Sequence, residues 1–286
     1  LDIFLIKYYG LGKPVLYEYS TITGYNIKPS QKLRRLGNEI NINELGMRSN
    51  FEWSNNKKKL KILFFGDSVT YGGSIISNKD LFSEITCEKL KYNDPKLDSI
   101  CGNFGTNGYS IEQIVRKIKF KEINNEDILV ITLIESNLER GFNSLASQPY
   151  WSKEIKGFYP AITESVFLIL EKFKNSFKFS FVDKSTKNKK NVYQIYLLDE
   201  FKKIINSIDK KIFIVYSPTK NELKNTKNSL LKDYLKKNFE NFLDLSKPKY
   251  LLNTKMYYDD IHLNKFGHKH YGEIISKEIL KSIKIN

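Results

Sequence analysis

The 286-residue chain contains only two cysteines, three histidines and five arginines, and it lacks a long apolar run. Two cysteines cannot form the disulfide framework of small secreted domains, and a chain of this length does not need one. No apolar segment reaches the 18 residues that indicate a membrane-spanning helix. Because apolar residues still make up 41% of the chain and aromatic residues 14%, a wholly disordered chain is excluded and a globular protein is indicated.

Basic residues dominate the charge, since 47 Lys and Arg against 32 Asp and Glu leave a formal charge of +15. Of these 47, 42 are lysines, whereas sites that grip phosphates or bases favour the planar fork of arginine. The aromatic residues are scattered and do not cluster with arginine as a base-stacking surface requires. We therefore expect lysines spread over solvated faces and no nucleic-acid partner, with an acidic glycan as the polyanion that fits this charge.

The residue pattern gives little support to metal or cofactor chemistry. The chain has no C-x-x-C pair, no H-E-x-x-H and no P-loop, and Gly102, Gly105 and Gly108 do not form a dinucleotide-binding fingerprint. Cys87 and Cys101 fall on a predicted helix and a predicted strand, where separate buried thiols are common. The sequence predicts neither a metal nor a cofactor.

Residues 1–59 are predicted to be an extension of irregular structure with short strands that packs on the core. Glycine and proline interrupt this stretch, and no helical period persists in it. The alternating residues 39–43 indicate one arm of a hairpin. The apolar residues 1–9 are interpreted either as the end of a removed signal or anchor segment, or as a first strand or helix packed on the core.

From residue 60 onwards, apolar runs alternate with helical patterns. The predicted strands are 61–65, 99–104, 127–134, 211–216 and 241–245, and the predicted helices are 80–92, 110–120, 161–177, 194–208, 227–239 and 264–283, with Asp80 and Ser110 as helix caps. Residues 135–160 are predicted to be loop-like, and 184–191 an exposed excursion. The alternation predicts an α/β domain over residues 60–286, a three-layer α/β/α sandwich with a mostly parallel five-stranded sheet.

A candidate nucleophile follows the first of these strands. In such sheets the active site lies outside the carboxyl ends of the strands, and Gly66-Asp67-Ser68 comes directly after the apolar run 61–65. The glycine permits a tight turn, and Ser68 opens the next turn, where free backbone N–H groups can stabilise an oxyanion. The alternative role for Ser68 is to satisfy a backbone group at the end of the strand.

A serine nucleophile needs a base, and histidine is the usual one at neutral pH. Asp259 precedes His262 by three residues in a predicted loop, a spacing that lets the carboxylate reach Nδ1 of the ring and leaves Nε2 for the serine proton. His268 and His270 fall on the predicted closing helix, where we expect surface positions. Ser68, His262 and Asp259 are therefore the candidate catalytic residues.

Two further blocks stand between these residues, in the loops after the second and third strands. With the two blocks above, they make four: Gly66-Asp67-Ser68, the run from Asn103 to Gly108, Glu135-Ser136-Asn137-Leu138, and Asp259 with His262. Together these four blocks resemble those of the SGNH hydrolases, also called the GDSL family, over about residues 60–283. The third block departs from the family pattern G-x-N-D, because glycine is replaced by Glu135 and aspartate by Leu138.

The resemblance implies a flavodoxin-like SGNH hydrolase fold and a serine-dependent esterase without a cofactor. The implied oxyanion donors are the N–H groups of Ser68 and Gly108 and the side-chain amide of Asn137. The implied substrates are acyl esters, especially acetyl esters of a carbohydrate. Two alternatives stay open: an O-acetyltransferase that uses the same triad to acylate a surface-polysaccharide sugar, and a catalytically weak domain that binds a glycan or a partner enzyme.

The predicted excursion 140–192 is expected to form a rim near the site. Its Tyr150 and Trp151, with Phe158 and Tyr159, either stack on a sugar ring or pack internally. In the extension, Gly24-Tyr25, Lys28-Pro29 and residues 43–48 resemble the leader of bacterial SGNH proteins linked to cell-surface polysaccharides. That likeness implies a cell-envelope or extracytoplasmic location with an N-terminal membrane anchor, and a cytoplasmic location is the alternative.

Overall fold

The protein is described from a computed structural model that covers residues 1–53, 60–120, 128–147, 154–155, 157–176, 187–225 and 229–284. The strands are β1 (Tyr17–Ser20), β2 (Gly24–Ile27), β3 (Gln31–Arg35), β4 (Asn38–Ile42), β5 (Leu60–Phe65), β6 (Ser99–Asn103), β7 (Ile128–Leu133), β8 (Lys211–Tyr216) and β9 (Phe242–Asp244). The helices are α1 (Asp2–Phe4), α2 (Ser68–Tyr71), α3 (Phe82–Asn93), α4 (Ile111–Phe120), α5 (Glu135–Glu139), α6 (Pro160–Ser176), α7 (Lys187–Asn206), α8 (Leu230–Asn238) and α9 (Lys265–Lys284). The π-helical turn Leu5–Tyr9 continues α1.

The five predicted strands form one parallel sheet in the order β6-β5-β7-β8-β9. The first two strands of the sheet thus exchange places in space relative to their order in the chain, as in flavodoxin-like folds. Because parallel strands run in the same direction, the loops that leave β5, β6 and β7 emerge at one edge. The α/β class and the parallel five-stranded sheet expected from the sequence are confirmed.

Both faces of this sheet are buried, as the uninterrupted apolar runs predict. Ile62 and Phe64 of β5 pack in a cluster with α3 and α9, whereas Leu63 and Phe65 pack on the opposite face with α4 and α7. This alternation follows from the two-residue period of a strand. Helices cover the sheet on both sides and leave its carboxyl edge open.

The N-terminal extension contributes two antiparallel hairpins, β1 with β2 and β3 with β4. The predicted hairpin arm at 39–43 is confirmed by β4. The extension also enters the core of the α/β sheet, since Tyr25, Met47 and Trp53 are buried in the cluster that holds Leu63 and Phe65.

Arg48 of the extension is fully buried and binds the segment that follows the nucleophile. Its guanidinium donates to the carbonyl oxygens of Tyr71 at 2.7 Å and Gly73 at 2.5 Å, and also to that of Ile76. Its Nε donates to Asn78 Oδ1 at 3.0 Å. One buried side chain therefore fixes the course of the segment from Tyr71 to Asn78.

Cys87 and Cys101 form a disulfide, so the expectation of separate thiols is wrong. The helix α3 packs against β6, and the two residues have their Cα atoms 5.9 Å apart although 14 positions separate them in the chain. A strand that returns directly along the preceding helix brings such positions together. Local pattern does not reveal which thiols become neighbours.

Several expected boundaries also differ. Asp80 does not cap α3, because it belongs to a 3₁₀ turn (Asn78–Asp80) and pairs with Lys265 at 3.0 Å. The predicted loop 135–160 contains the short helix α5 and a 3₁₀ turn (Leu145–Ser147). The expected excursion at 184–191 is helical from Lys187 onwards, and its first residues lie outside the described part. The predicted cap at Ser110, by contrast, is confirmed, because Ser110 Oγ accepts a hydrogen bond from the backbone N–H of Gln113 at 3.4 Å.

In the described part of the chain, no helix combines the length and apolarity needed to cross a bilayer.

Candidate active site

The carboxyl edge of the sheet gathers residues from three strand ends. Ser68 lies three residues after β5, Gly108 five residues after β6, and Asn137 four residues after β7. Because β5 lies between β6 and β7, the three loops are neighbours in space despite their distance in sequence. The structure thus places Ser68, Gly108 and Asn137 at the edge of the sheet where the sequence predicts the functional residues.

Ser68, His262 and Asp259 form a continuous chain of hydrogen bonds. Ser68 Oγ lies 2.8 Å from His262 Nε2, and His262 Nδ1 lies 2.7 Å from Asp259 Oδ2. The other carboxylate oxygen of Asp259 accepts the backbone N–H groups of Ile261 at 2.9 Å and His262 at 2.7 Å. The loop therefore curls so that one carboxylate holds both the backbone and the ring of the histidine.

The environment of Asp259 keeps its carboxyl ionised. Partial burial by itself raises the pKa of this group, but the hydrogen bonds from the His262 ring and from the backbone of His262 and Ile261 lower it to about 2. A permanent carboxylate at Nδ1 keeps the ring proton on that nitrogen and leaves Nε2 as the acceptor that faces Ser68.

Asp67 shapes the turn that carries the nucleophile. Its Oδ1 accepts the N–H of Val69 at 3.0 Å and caps α2. Its Oδ2 accepts from Asn137 Nδ2 at 3.0 Å and from Arg140 Nη1 at 2.7 Å. This buried carboxylate thus ties the first block to the third.

The backbone N–H groups of Ser68 and Gly108 are candidate oxyanion donors. Gly108 and Ser68 both border the same cavity, and within the described chain no group accepts a hydrogen bond from either N–H. Gly108 has φ +77°, a left-handed conformation that favours glycine. Backbone N–H groups that lack an acceptor and lie on residues lining the same cavity as a serine nucleophile are the kind of donor that stabilises an oxyanion.

Asn137 lies behind this pocket. Its amide Nδ2 donates to Asp67 Oδ2 and to the carbonyl of Tyr109, each at 3.0 Å, and its Oδ1 accepts the N–H of Ile134 at 2.7 Å. The side chain is fully buried, and it is absent from the described residues that line the cavity. Both amide hydrogens therefore already have acceptors in the protein.

A cavity of about 620 Å³ opens in front of Ser68 and His262. The N-terminal extension contributes Val15 and Leu36 to its wall, and α6 contributes Leu168. Polar groups from the strand-end loops, Asn107 and Asn143 among them, complete the wall. The site is therefore built from the extension and from the sheet domain together.

The other residues singled out in the sequence fall in different places. Tyr150 and Trp151 lie outside the described residues. Phe158 and Tyr159 are exposed and do not belong to the described cavity wall. Among the described residues, no three His, Cys, Asp or Glu side chains are grouped so as to hold a metal ion.

The surface position expected for His268 is wrong, because only 1% of this residue is exposed. Its Nδ1 accepts the N–H of Phe82 at 3.2 Å, and its ring stacks on the Phe82 ring. Burial, with the nearby charges of Arg48 and His262, lowers the pKa of His268 to about 3. His270 is half-buried and lies 2.5 Å from the carbonyl of Tyr250.

Sequence reasoning missed Arg140, which borders the cavity beside Ser68. One signal was present: Arg140 follows Asn137 by three positions, one helical turn, and it is one of only five arginines in a lysine-rich chain. In the sequence Asp67 is only one member of the first block, and its role as the link between two blocks depends on contacts across 70 residues.

Comparison with known proteins gives structural neighbours only. No protein-family model matches the chain, and no curated protein matches it in sequence. Solved structures similar to it include a two-domain esterase active on acetylated mannans, with 16% identity, 78% of this chain and 49% of that chain covered, and a TM-score of 0.46. The chain thus spans about half the length of that esterase.

Two further solved structures are matched over nearly their whole length. The lipase/acylhydrolase from Enterococcus faecalis is 15% identical, with 77% of this chain and 94% of that chain covered and a TM-score of 0.47. The acetylxylan esterase Axe2 from Geobacillus stearothermophilus is 16% identical, with 77% and 93% covered and a TM-score of 0.43. At these identities the likeness to the three structures concerns the fold.

Proposed function

We propose that the protein is a serine-dependent ester hydrolase. The observation that carries this proposal is the unbroken hydrogen-bond chain from Ser68 Oγ through the His262 ring to Asp259, three residues that line one cavity. A serine that only satisfied the backbone would not need a histidine whose second nitrogen is held by a carboxylate.

The chemistry is acyl transfer in two halves. His262 Nε2 takes the proton of Ser68 Oγ as that oxygen attacks the ester carbonyl, and Asp259 stabilises the resulting imidazolium. The N–H groups of Ser68 and Gly108 stabilise the negative oxygen of the tetrahedral intermediate, each contributing about 2.7–4 kcal/mol. The alcohol leaves with the proton from His262, and water, activated by the same ring, then releases the acid from Ser68.

The substrate class we propose is an acyl ester of a carbohydrate, with acetyl as the acyl group. A cavity of about 620 Å³ has far more room than an acetyl group needs. Asn107, Asn143 and Tyr258 supply polar groups to its wall, which suits a hydroxyl-bearing alcohol part. The net charge of +15 favours an acidic glycan among such substrates.

The first test replaces the nucleophile. We expect Ser68→Ala to lower kcat for an aryl acetate at least about 10³-fold, because the triad acts as a unit, while the far-UV and near-UV circular dichroism stays that of the parent. Ser207→Ala, an exposed position after α7, is the matched control. A fluorophosphonate should label the parent and not Ser68→Ala. Equal turnover by Ser68→Ala would falsify the assignment, and an unlabelled parent would support a binding domain instead.

O-acetyl transfer to a sugar is the second candidate, because the open cavity has room for an acceptor beside the acyl-enzyme. The triad is the same in both reactions, so only the acceptor separates them. A panel of acetylated glycans and aryl acetates, incubated with and without unacetylated sugar, distinguishes the two. Free acetate as the sole product supports hydrolysis, and accumulation of an acetylated acceptor supports transfer.

We further propose that the protein works outside the reducing cytoplasm, at the cell envelope. The disulfide between Cys87 and Cys101 supports this proposal, since such bonds persist in oxidising compartments. Separation of cell fractions with antibody detection tests it, and a protein found only in the cytoplasmic fraction with two free thiols would contradict it.

A further inference from the structure

The third block leaves the oxyanion pocket without the side-chain donor that the resemblance implies. Asn137 has two amide hydrogens, and one donates to Asp67 Oδ2 while the other donates to the carbonyl of Tyr109. The residue is fully buried and is not part of the described cavity wall. To reach a substrate oxygen, Asn137 would have to abandon a buried carboxylate, which costs about 1–3 kcal/mol or more.

Arg140 stands beside Asn137 on the side that faces the cavity. Its Nη1 contacts the same two acceptors, Asp67 Oδ2 at 2.7 Å and the carbonyl of Tyr109 at 3.4 Å. The Arg140 guanidinium therefore shares both acceptors with the Asn137 amide. Arg140, unlike Asn137, also lines the cavity that Ser68 and Gly108 line. Its side chain keeps 25% of its surface exposed there.

Within the described residues, the hydrogen bonds of Arg140 all come from Nη1. Nε and Nη2 have no acceptor within the described part of the chain, and the side chain is held by the Asp67 carboxylate, only 1% of whose side-chain surface is exposed. A guanidinium carries its donors in a rigid fork, so fixing Nη1 also fixes where Nη2 and Nε point. Preorganised, charged donors beside a reacting centre are the groups that stabilise developing charge most effectively.

We propose that Arg140, not Asn137, is the side-chain donor of the oxyanion pocket; this rests on the proposed ester hydrolysis. As Ser68 Oγ bonds to the carbonyl carbon, the π electron pair of the carbonyl moves onto its oxygen. That oxygen accepts from the N–H groups of Ser68 and Gly108 and from the Arg140 fork. When the pair returns, the bond to the alcohol oxygen breaks and that oxygen takes the proton from His262, while Arg140 transfers no proton.

A cation at this position has one other use, which is to bind a carboxylate of an acidic sugar substrate. The two roles predict different kinetics. An oxyanion donor acts on every ester, including a neutral aryl acetate, and its loss lowers kcat. A substrate-anion site acts only on acidic substrates, and its loss raises KM for those substrates alone.

The test compares Arg140→Met, Arg140→Ala and Arg116→Met with the parent on a neutral aryl acetate. Arg116 pairs with Glu112 on the exposed side of α4 and is the matched control for loss of one arginine charge. We expect Arg140→Met to lose about 10²–10³-fold in kcat with KM within threefold, and Arg116→Met to match the parent. Added ethylguanidinium should restore at least tenfold of the activity of Arg140→Ala.

Because Arg140 binds Asp67, replacing Arg140 also removes a contact that holds the turn of Ser68. The rate of fluorophosphonate labelling and the thermal midpoint are therefore measured on the same variants. Rescue by ethylguanidinium separates a missing donor from a displaced nucleophile, because a displaced serine is not repaired by a soluble cation. Unchanged kcat on the aryl acetate, a KM effect confined to acidic glycans, or loss without rescue each overturns the proposal. An inactive and unlabelled parent overturns the ester hydrolase itself and this inference with it.

Discussion

Asp259 and Asp260 are adjacent aspartates whose side chains serve different partners. Asp259 holds the ring and the backbone of His262, whereas Asp260 Oδ1 accepts the N–H of Asn221 at 3.1 Å. The three-residue spacing to His262 singles out Asp259 in the sequence. Only the fold of the loop shows that the neighbouring carboxylate points to a different segment.

We predict that Asp259→Asn lowers kcat for an aryl acetate about 10³–10⁴-fold, because an amide at Nδ1 favours the wrong ring tautomer. Asp260→Asn is the matched control and should keep activity within a few-fold of the parent. Steady-state kinetics on the three proteins make the comparison. Equal losses of kcat from the two substitutions would contradict this prediction. They would show that kcat depends on the negative charge of the loop and not on the hydrogen bond from Asp259 to His262.

His268 makes stability depend on pH. The pKa of its buried ring is lowered to about 3, whereas an unfolded histidine titrates near 6.5. Between pH ~6.5 and about 3, His268 therefore binds a proton in the unfolded chain but not in the folded protein. The contribution of His268 to stability is complete above that pH and is lost as the pH falls towards 3.

We expect the free energy of unfolding of the parent to fall with decreasing pH between about 6 and 5 more steeply than that of His268→Asn. The difference in slope should approach about 1.4 kcal/mol per pH unit, the value for one proton. Urea unfolding at several pH values measures it. Parallel pH profiles for the two proteins would contradict a buried, neutral His268.

At the scale of elements, α3 and β6 are joined covalently. The disulfide between Cys87 and Cys101 closes a loop with a sequence separation of 14 on the face of the sheet that α3 and α9 cover. A cross-link of this length restricts the unfolded chain and stabilises the folded one by about 3 kcal/mol. Neither cysteine is part of the proposed catalytic group.

We predict that replacing both cysteines by alanine lowers the free energy of unfolding by about 3 kcal/mol and leaves kcat close to that of the parent. Urea unfolding, with the reduced parent for comparison, measures the loss. Thiol titration in denaturant without reductant should detect no free thiol in the parent. Two reactive thiols there would show that the bond is not formed.

At the scale of the whole molecule, the extension and the sheet domain share one core and one cavity. Tyr25, Met47 and Trp53 are buried with Leu63 and Phe65, and Arg48 holds the segment after the nucleophile. The division into an extension and a domain over residues 60–286 reflects a change in the residue pattern of the sequence. That residues 60–286 form a separate domain stays a prediction.

We predict that a chain truncated to residues 60–286 does not reach the native state, because the apolar surface under Tyr25, Met47 and Trp53 becomes exposed. Soluble yield, dye binding to exposed apolar surface and the cooperativity of thermal unfolding report the outcome. A truncated chain with the thermal midpoint of the full-length protein would show that the extension is dispensable for folding.

Three of the five arginines bind where a planar fork is needed. Arg35 makes a buried bidentate pair with Glu164, Arg48 binds carbonyl oxygens beside the site, and Arg140 binds Asp67. Lysine cannot replace a planar fork at such positions. Two of these three arginines, Arg35 and Arg140, also line the cavity.

The sequence by itself determined the α/β class, the five buried strands and the positions of Ser68, Asp259 and His262. These depend on apolar period and on short spacings, which act locally along the chain. The tertiary structure decided the contacts between distant segments. These are the disulfide, the burial of His268, the hydrogen bond from Asn137 to Asp67 and the position of Arg140 in the cavity wall. Such contacts follow from how helices and loops pack on the sheet, and no local pattern records which side chains then meet.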